Sequence, residues 1–260
     1  MAGSTKPCLF CGGTGGKRTA EHVLPAWLSE VLPIAGRDLA LVRMEDGGVA
    51  RAMPVLDVRI VDVCKTCNEG WMSELEVAFR SVLESAIRGG PIDLDLEGER
   101  IVALWSVKTW FLLNRALDYL TVTPVNAGLA DFRDLYERRE PVPTFQIWVG
   151  RVHQDDDTVA WLANQIVGTP PDPPHGLMGV VAIGGIVFLI YGPFPRAIDD
   201  ASVQVASLGL PPDLQRLFRP VFPHPADLGE WEPGLAVPAT ELEKFWPGGG
   251  HVEPVRAASP

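Results

Sequence analysis

The sequence predicts an α+β protein, in which a small cysteine-stapled finger precedes a larger α+β body that contains an antiparallel sheet. Two observations lead to this fold class. The four cysteines of the chain form two CxxC pairs, Cys8 with Cys11 and Cys64 with Cys67. After Pro141, apolar side chains alternate at Phe145, Ile147 and Val149, and a period of two is typical of a strand with one buried face.

Length and composition set the expected domain organisation. The chain has 260 residues, of which 47% are hydrophobic and 21% are charged, as is usual for a globular protein with a core. Residues 91–97 follow Gly89-Gly90 and are the expected boundary. We predict three parts: a finger module in residues 1–90, an α+β domain of unassigned role in 98–250, and a disordered tail over 251–260.

The spacing of apolar residues predicts the individual elements. Leu75, Phe79 and Leu83 recur every four residues, so we expect a helix over 64–88 that ends at Gly89-Gly90. The remaining elements are expected in chain order: strand 17–22, helix 26–32, strands 37–43 and 55–63, helix 100–120, and body strands 145–149, 159–167 and 178–191, the last folding back at Gly184-Gly185.

Apolar runs in this chain are short. The N-terminus has no apolar run of signal-peptide length, and residues 179–192 are too few to span a bilayer. We therefore expect buried strand at 179–192, no membrane partner, and a location in the reducing cytoplasm. In that compartment, paired CxxC motifs bind metal more often than they form disulfides.

The two CxxC pairs predict a structural zinc site. Zinc prefers about four ligands in a tetrahedron, and four thiolates leave no position open for chemistry. Such a site would tie the N-terminal knuckle to the helix that begins at Cys64. Two unrelated cysteine pairs and a dithiol redox site are the alternatives.

The distribution of charge limits the choice of partner. A net charge of −11 argues against tight non-specific binding to nucleic acid, because phosphate neutralisation supplies most of that affinity. The first 20 residues, however, contain Lys6, Lys17 and Arg18 and no acidic residue. Any surface that faces phosphate is therefore expected there.

Three short segments, in their order along the chain, resemble the HNH endonuclease family of the type with structural CxxC pairs. They are PCLFC at 7–11, EHVLP at 21–25 and VCKTCNEGW at 63–71, and the similarity covers roughly residues 7–80. The resemblance implies a zinc-bound ββα-metal, treble-clef-like finger. It also implies a metal-dependent endonuclease that hydrolyses DNA phosphodiester bonds.

The same resemblance implies roles for individual residues. Glu21 and Asn68 would bind a catalytic divalent ion, and His22 would be the general base that activates water. Carboxylate and amide oxygens favour Mg²⁺ or Mn²⁺ at this second site. Adjacent strand residues face opposite sides, so a bulge is expected to bring Glu21 and His22 to one cleft. Lys17 and Arg18 would contact the substrate phosphates.

One position departs from the family pattern. Many members carry a further His one turn after the Asn, where this chain has Met72. A catalytically degenerate zinc finger that binds nucleic acid or protein is therefore the alternative function. His22 could equally be a structural side chain, and Asn68 could be a helix cap. Residues 98–250 could support substrate choice, a homodimer or a protein partner.

Overall fold

The computed structural model describes residues 6–14, 16–32, 38–42, 49–54, 58–118, 129–141, 143–153, 160–167, 176–193, 210, 212–224, 231–238 and 252–255. These residues form a mixture of helices and antiparallel sheets, with the four cysteines clustered near the N-terminus. The expected α+β class is confirmed at that level.

A two-stranded antiparallel hairpin carries the N-terminal part of the chain. Strand β1 is Arg18–His22 and pairs with β4, Arg59–Cys64. The short helix α1, Leu28–Val31, lies between them and buries Leu28 and Val31. The expected strand and helix are both present, and each is shorter than its predicted range.

A kinked helix follows the hairpin. It consists of α2, Lys65–Cys67, a π-helical turn, Asn68–Met72, and α3, Ser73–Ile87. The kink lies at Gly70, whose φ of −95° and ψ of −116° are non-helical. The apolar face predicted for 64–88 is confirmed, since the α3 residues that share it are buried: Leu75, Phe79, Leu83 and Ala86.

Helix α4, Leu96–Asp118, begins four residues earlier than the predicted start at residue 100. The cause is an N-terminal cap, which the apolar spacing did not reveal. The Gly98 amide donates to Asp95 Oδ1 at 2.7 Å, so the Asp95 side chain satisfies a helix N–H that has no partner in the helix. Helix α5, Leu129–Arg138, follows.

The expected antiparallel sheet forms the centre of the body. Its antiparallel strands are β5, Gln146–His153; β6, Ala160–Val167; β7, Gly176–Ile183; β8, Ile186–Pro193; and β9, Phe218–Phe222. The order is β6-β7-β8-β5, and β9 and the short parallel β10, Val237–Pro238, also pair with β5. Helix α6, Pro212–Gln215, precedes β9. The chain reverses between β7 and β8 at Gly184, with φ of +56°, as predicted.

A second small sheet corrects two expectations. It joins β2, Asp38–Val42, to β3, Val49–Pro54, on one side and to β11, Val252–Val255, on the other. Strand β3 was not predicted. The disordered tail predicted over 251–260 is wrong for Val252–Val255, because β2 presents open backbone groups that β11 pairs. The rest of the predicted tail lies outside the described residues.

One hydrophobic cluster contains residues from both sides of the predicted 91–97 boundary. The rings of Phe79 in α3 and Trp105 in α4 stack at 3.7 Å between centroids, and Phe188 of β8 packs against both. The division into two domains therefore stays a prediction, and the described part of the chain shares an apolar core across it. Among the described helices, none has the length and apolar content needed to cross a bilayer.

Candidate functional site

The four cysteines come together from three elements. Cys8 and Cys11 lie in the N-terminal knuckle, Cys64 ends β4 and Cys67 ends α2. Their sulfur atoms all lie within 4.8 Å of one another, and the Sγ atoms of Cys11 and Cys64 are 3.7 Å apart. Tetrahedral thiolates at ~2.3 Å from zinc would be ~3.8 Å apart. The donor set therefore fits a metal such as zinc.

Backbone bonds shape the knuckle around Cys8. The Cys8 amide donates to Gly13 O at 3.0 Å, and the Gly12 amide donates to Cys8 O at 3.0 Å. Gly12 has a φ of +69°, a conformation that favours glycine. The Cys64 amide also donates to Cys8 Sγ at 3.3 Å, so the loop and β4 are linked directly.

The surroundings of Cys8 favour loss of its proton. A hydrogen bond from the Cys67 thiol lowers the pKa of Cys8 to about 4. The same bond, together with burial, raises the pKa of Cys67. A thiolate is the form that binds metal, so the lowered pKa of Cys8 favours its role as a ligand.

Asn68 lies against the first strand. Its Nδ2 donates to Thr19 Oγ1 at 2.9 Å, a bond between residues 49 positions apart. Thr19 and Glu21 are two residues apart on β1, and side chains with that spacing share a strand face. The structure therefore brings Asn68 to the face of β1 that carries Glu21, and this bond leaves the amide oxygen of Asn68 to accept.

His22 belongs to the other face of β1. It is half-buried, and its register partner on β4 is Arg59. The register shifts between Thr19 and Glu21: the two steps between them on β1 lie opposite the three steps from Val63 to Ile60 on β4. The extra residue is thus on β4, whereas the expected bulge was placed on the first strand. Such a shift strengthens the local twist next to His22.

Glu21 is a buried carboxyl group in a charged pocket. Only 5% of it is exposed, and burial raises its pKa to about 7. Lys108 opposes this rise and Glu76 adds to it. Glu21 therefore lies near one cation and one other acid, and its raised pKa places its change of charge near neutral pH.

Lys108 is the residue of this pocket that sequence reasoning missed. Its side chain is fully buried, and Nζ lies 2.9 Å from Glu76 Oε1 and 5.9 Å from the Trp105 ring centre. A signal was present: residues 102–113 contain one charged side chain in an otherwise uncharged stretch of α4. A charge on a buried helix must have a partner, but the sequence did not show which.

Met72 occupies the position at which the family resemblance leads one to expect a histidine. It is fully buried in the core, one helical turn after Asn68 and one turn before Glu76. A thioether is not a ligand for Mg²⁺. Met72 therefore packs in the core, and the residue one turn later, Glu76, is an acid paired with Lys108.

The two predicted substrate cations lie in different environments. Lys17 is exposed immediately before β1. The guanidinium of Arg18 donates to the carbonyl of Lys6 and, at 3.2 Å, to that of Gly13. Arg18 thus stabilises the knuckle, and its predicted contact with substrate stays a prediction.

The body also contacts the finger. Arg115 of α4 pairs with Asp62 of β4 at 2.8 Å. Phe10 of the knuckle packs edge-on against Phe132 of α5 and against Trp71. Trp71 is half-buried and packs against the hydrophobic core. The site is therefore bordered by α4 and α5 as well as by the hairpin.

No family model, curated protein or solved structure matches this chain. The resemblance to HNH endonucleases accordingly stays a prediction that depends on the three short segments.

The cysteine cluster predicts one bound zinc per chain. Replacing buried Cys64 by serine should abolish zinc retention and lower the unfolding temperature, because a site of three thiolates and a hydroxyl binds zinc poorly and metal binding contributes folding energy. Elemental analysis and thermal unfolding measure both effects. Thr66→Ala, at an exposed position inside the same CxxC, is the matched control and should retain its zinc. Equal zinc content in both variants would contradict the site.

Burial of Glu21 predicts a pH-dependent stability. Its pKa is raised in the folded state, so its favourable contribution is complete below its ordinary pKa and is lost as pH rises through about 7. Without added divalent ions, Glu21→Gln should stabilise the protein by roughly 3 kcal/mol at about pH 8.5, and the gain should shrink towards pH 5. Urea unfolding across this range measures it. The control, Glu74→Gln on the exposed side of α3, should show little pH dependence.

The buried ion pair predicts a large cost when one partner is removed. Lys108→Met should destabilise the fold by about 3 kcal/mol, because Glu76 and Glu21 then lack their cation. Adding Glu76→Gln should restore part of the loss. Arg100→Met is the control on α4, since its pair with Glu97 is largely exposed, and it should cost less than about 1 kcal/mol. Additive costs in the double variant would show that the two groups are not coupled.

Proposed function

We propose that this protein is a metal-dependent endonuclease of the HNH type that hydrolyses phosphodiester bonds in DNA. One observation supports it most: the Asn68 side chain bonds to Thr19 and so lies on the strand face of Glu21, directly after the cysteine cluster. The Asn68 side chain thus reaches β1 two residues before Glu21 and three residues before His22. These are the residue types that the resemblance assigns to a one-metal nuclease.

The proposed zinc-bound ββα finger gives the cysteines a structural role. Four thiolates close the coordination shell, so a zinc ion there would not meet substrate. What it would do is hold β1, β4 and the start of the kinked helix together. The hairpin–helix arrangement of these elements agrees with a ββα-metal finger.

A second, hard cation would belong between Glu21 and Asn68. The carboxylate of Glu21 and the amide oxygen of Asn68 are the donors that Mg²⁺ or Mn²⁺ prefers. When bound, such an ion supplies positive charge to the phosphoryl and leaving oxygens. The chain contributes the burial that keeps Glu21 in place, and Lys108 offsets the charge of Glu76 beside it.

His22 is proposed as the general base. It is the last residue of β1 and is half-buried, so solvent can reach the side chain while the strand holds its backbone. An imidazole titrates near neutral pH and can take a proton from an attacking water. Its strand face differs from that of Glu21, so the two side chains would meet one phosphate only beyond the end of β1.

The alternative function is a zinc-stapled module that binds DNA or another protein without cutting it. Two observations favour it. Met72 removes a third ligand and is packed in the core. Lys108 already neutralises Glu76, the acid on the following turn, at 2.9 Å. In either case residues 98–250 would support substrate choice, a homodimer or a protein partner.

Plasmid cleavage separates the two functions. Zinc-loaded protein with Mg²⁺ or Mn²⁺ should nick supercoiled DNA, and His22→Ala should lower the rate by about 100-fold or more, because a general base typically contributes 10²–10⁴. His153→Ala is the matched control, since His153 is exposed at the end of β5. It should cut at the rate of the unmodified protein.

The same assay can reject the proposal. Loss of nicking supports a catalytic role for His22 only if the His22→Ala variant keeps its zinc and its unfolding midpoint. A protein that shifts DNA in a gel but yields no product with either ion would be the binding module. Equal nicking by the His22→Ala and unmodified proteins would remove His22 from catalysis.

A further inference from the structure

Helix α4 covers the face of the β1–β4 hairpin that carries the acidic side chains. On β4, the buried residues Ile60 and Asp62 alternate with exposed ones. Ile60 is the register partner of Glu21 on β1, and side chains of paired residues lie on the same face of a sheet. Arg115 of α4 reaches Asp62 on that face at 2.8 Å. Glu21 therefore lies on the face of the hairpin towards α4.

The same side of α4 presents Lys108. Lys108 and Arg115 are about two helical turns apart, at 3.6 residues per turn, so their side chains leave α4 in nearly the same direction. Lys108 is fully buried, and its Nζ lies 2.9 Å from Oε1 of Glu76 on α3. Both charges reach Glu21: after burial, which has the largest effect, Lys108 acts to lower the pKa of Glu21 and Glu76 acts to raise it. We call Glu21, Glu76 and Lys108 the charge triad.

Glu21 is the member of the charge triad without a direct partner. Only 5% of it is exposed. Over the ranges that the structure describes, its carboxyl group makes no hydrogen bond and no ion pair, and Lys108 acts on it only through space. A buried carboxylate is costly unless it is hydrogen-bonded, paired or bound to a metal. A ligand of positive charge would therefore stabilise Glu21 more than the other two members, which already bond to each other.

The charge triad has an uneven balance. With both acids ionised, two carboxylates and one ammonium carry a single net negative charge. A bound divalent ion would turn this into a single positive charge, and one phosphodiester group of DNA would then neutralise it. Without Lys108, the ion-loaded triad would already be neutral and would offer no net attraction to a phosphate. Lys108 thus matters for the substrate although it is fully buried and cannot touch DNA.

We propose that Glu76 and Lys108 belong to the divalent-cation site at Glu21 and Asn68, and that together they set its charge. Glu76 strengthens the binding of the ion. Lys108 weakens that binding, and as a result the loaded site keeps a positive charge for the scissile phosphate. Lys108 is a positioning residue, because it acts through Glu76 and through its charge near Glu21. The inference rests on the proposed nuclease function and adds two residues that the family resemblance does not assign.

An ion pair that serves only to hold α3 and α4 together would behave differently. Removing either partner would then damage the fold, because the other charge is left buried without compensation. The affinity for a divalent ion would fall in both variants or remain unchanged in both. An electrostatic role at the cation site instead requires changes of opposite sign, since a divalent ion is attracted by an acid and repelled by a lysine.

Binding of Mn²⁺ to the full-length, zinc-loaded protein tests the proposal. Electron paramagnetic resonance measures free Mn²⁺ during a titration and so gives the dissociation constant without any cleavage. At about pH 8 Glu21 is mostly ionised, because burial raises its pKa to about 7. Glu76→Gln should weaken binding about ten-fold and Lys108→Met should tighten it about ten-fold, since each changes the local charge by one unit. Glu21→Gln should abolish binding.

Combining the two changes guards against misfolding. Lys108→Met alone leaves Glu76 and Glu21 without their cation, so it is the variant at risk. The double variant, Lys108→Met with Glu76→Gln, has the same net charge at the site as the unmodified protein and should bind Mn²⁺ within about three-fold of it. If Lys108→Met alone does not fold, the double variant is compared with Glu76→Gln, and it should bind Mn²⁺ about ten-fold more tightly.

A matched control removes an ion pair elsewhere on α4. Glu97 and Arg100 are 3.7 Å apart, and both side chains are largely exposed. Glu97→Gln and Arg100→Met should leave the affinity for Mn²⁺ unchanged, because water and salt screen charges at the surface. Zinc content and unfolding midpoint are measured for every variant, so that only folded, zinc-loaded proteins are compared.

The outcomes are distinguishable from those of the nuclease proposal. Opposite shifts for Glu76→Gln and Lys108→Met, or an about ten-fold difference between Glu76→Gln and the double variant, support the inference. Shifts in the same direction, no shift, an equal shift in the controls, or no binding of Mn²⁺ would overturn it. If the shifts are opposite but the plasmid is never nicked, the cation site stands and the nuclease proposal fails. If nicking occurs and the affinity responds to neither change, only this inference fails.

Discussion

The convergence of four sulfur atoms is the constraint on which the finger depends. Cys11 and Cys64 are 53 positions apart in sequence, and their sulfur atoms are 3.7 Å apart in space. A two-stranded hairpin is marginal by itself in water. A metal held by the cluster at the end of β4 would fix where β1 meets the kinked helix, and therefore where Glu21 and Asn68 lie. Because the hairpin is short, the positions of its side chains would depend on the cluster.

Buried charge connects this finger to the body. Lys108 and Arg115 both come from α4, and they pair with Glu76 of α3 and Asp62 of β4. Removing charges from water costs several kcal/mol per ion, so such pairs add little net stability. A structure in which one partner is missing is nevertheless destabilised, because the other charge is then buried without a counter-charge. The body thus helps to define the environment of Glu21. This residue, which the sequence identified as an acid next to a histidine, lies where the finger meets the body.

Local patterns in the sequence predicted the elements that depend on local interactions. The helix over 64–88 and the turn at Gly184-Gly185 follow from short-range spacing. The proximity of the two CxxC pairs was predicted from the number of ligands that one zinc ion requires. What escaped prediction depends on distant partners. β11 exists because β2 lies beside it, some two hundred positions away in sequence. Lys108 is tolerated because Glu76 is 32 positions away in sequence but within hydrogen-bonding distance. No window of sequence contains both members of either pair.

The alternation of a strand explains how one hairpin can bury its acidic side chains and still expose a cation. In β1 and β4 the acids are the buried members and Arg59 is exposed, so the backbone period of two separates the two environments by the thickness of one sheet. The buried acids then depend on cations of α4: Lys108 lies near Glu21, and Arg115 pairs with Asp62.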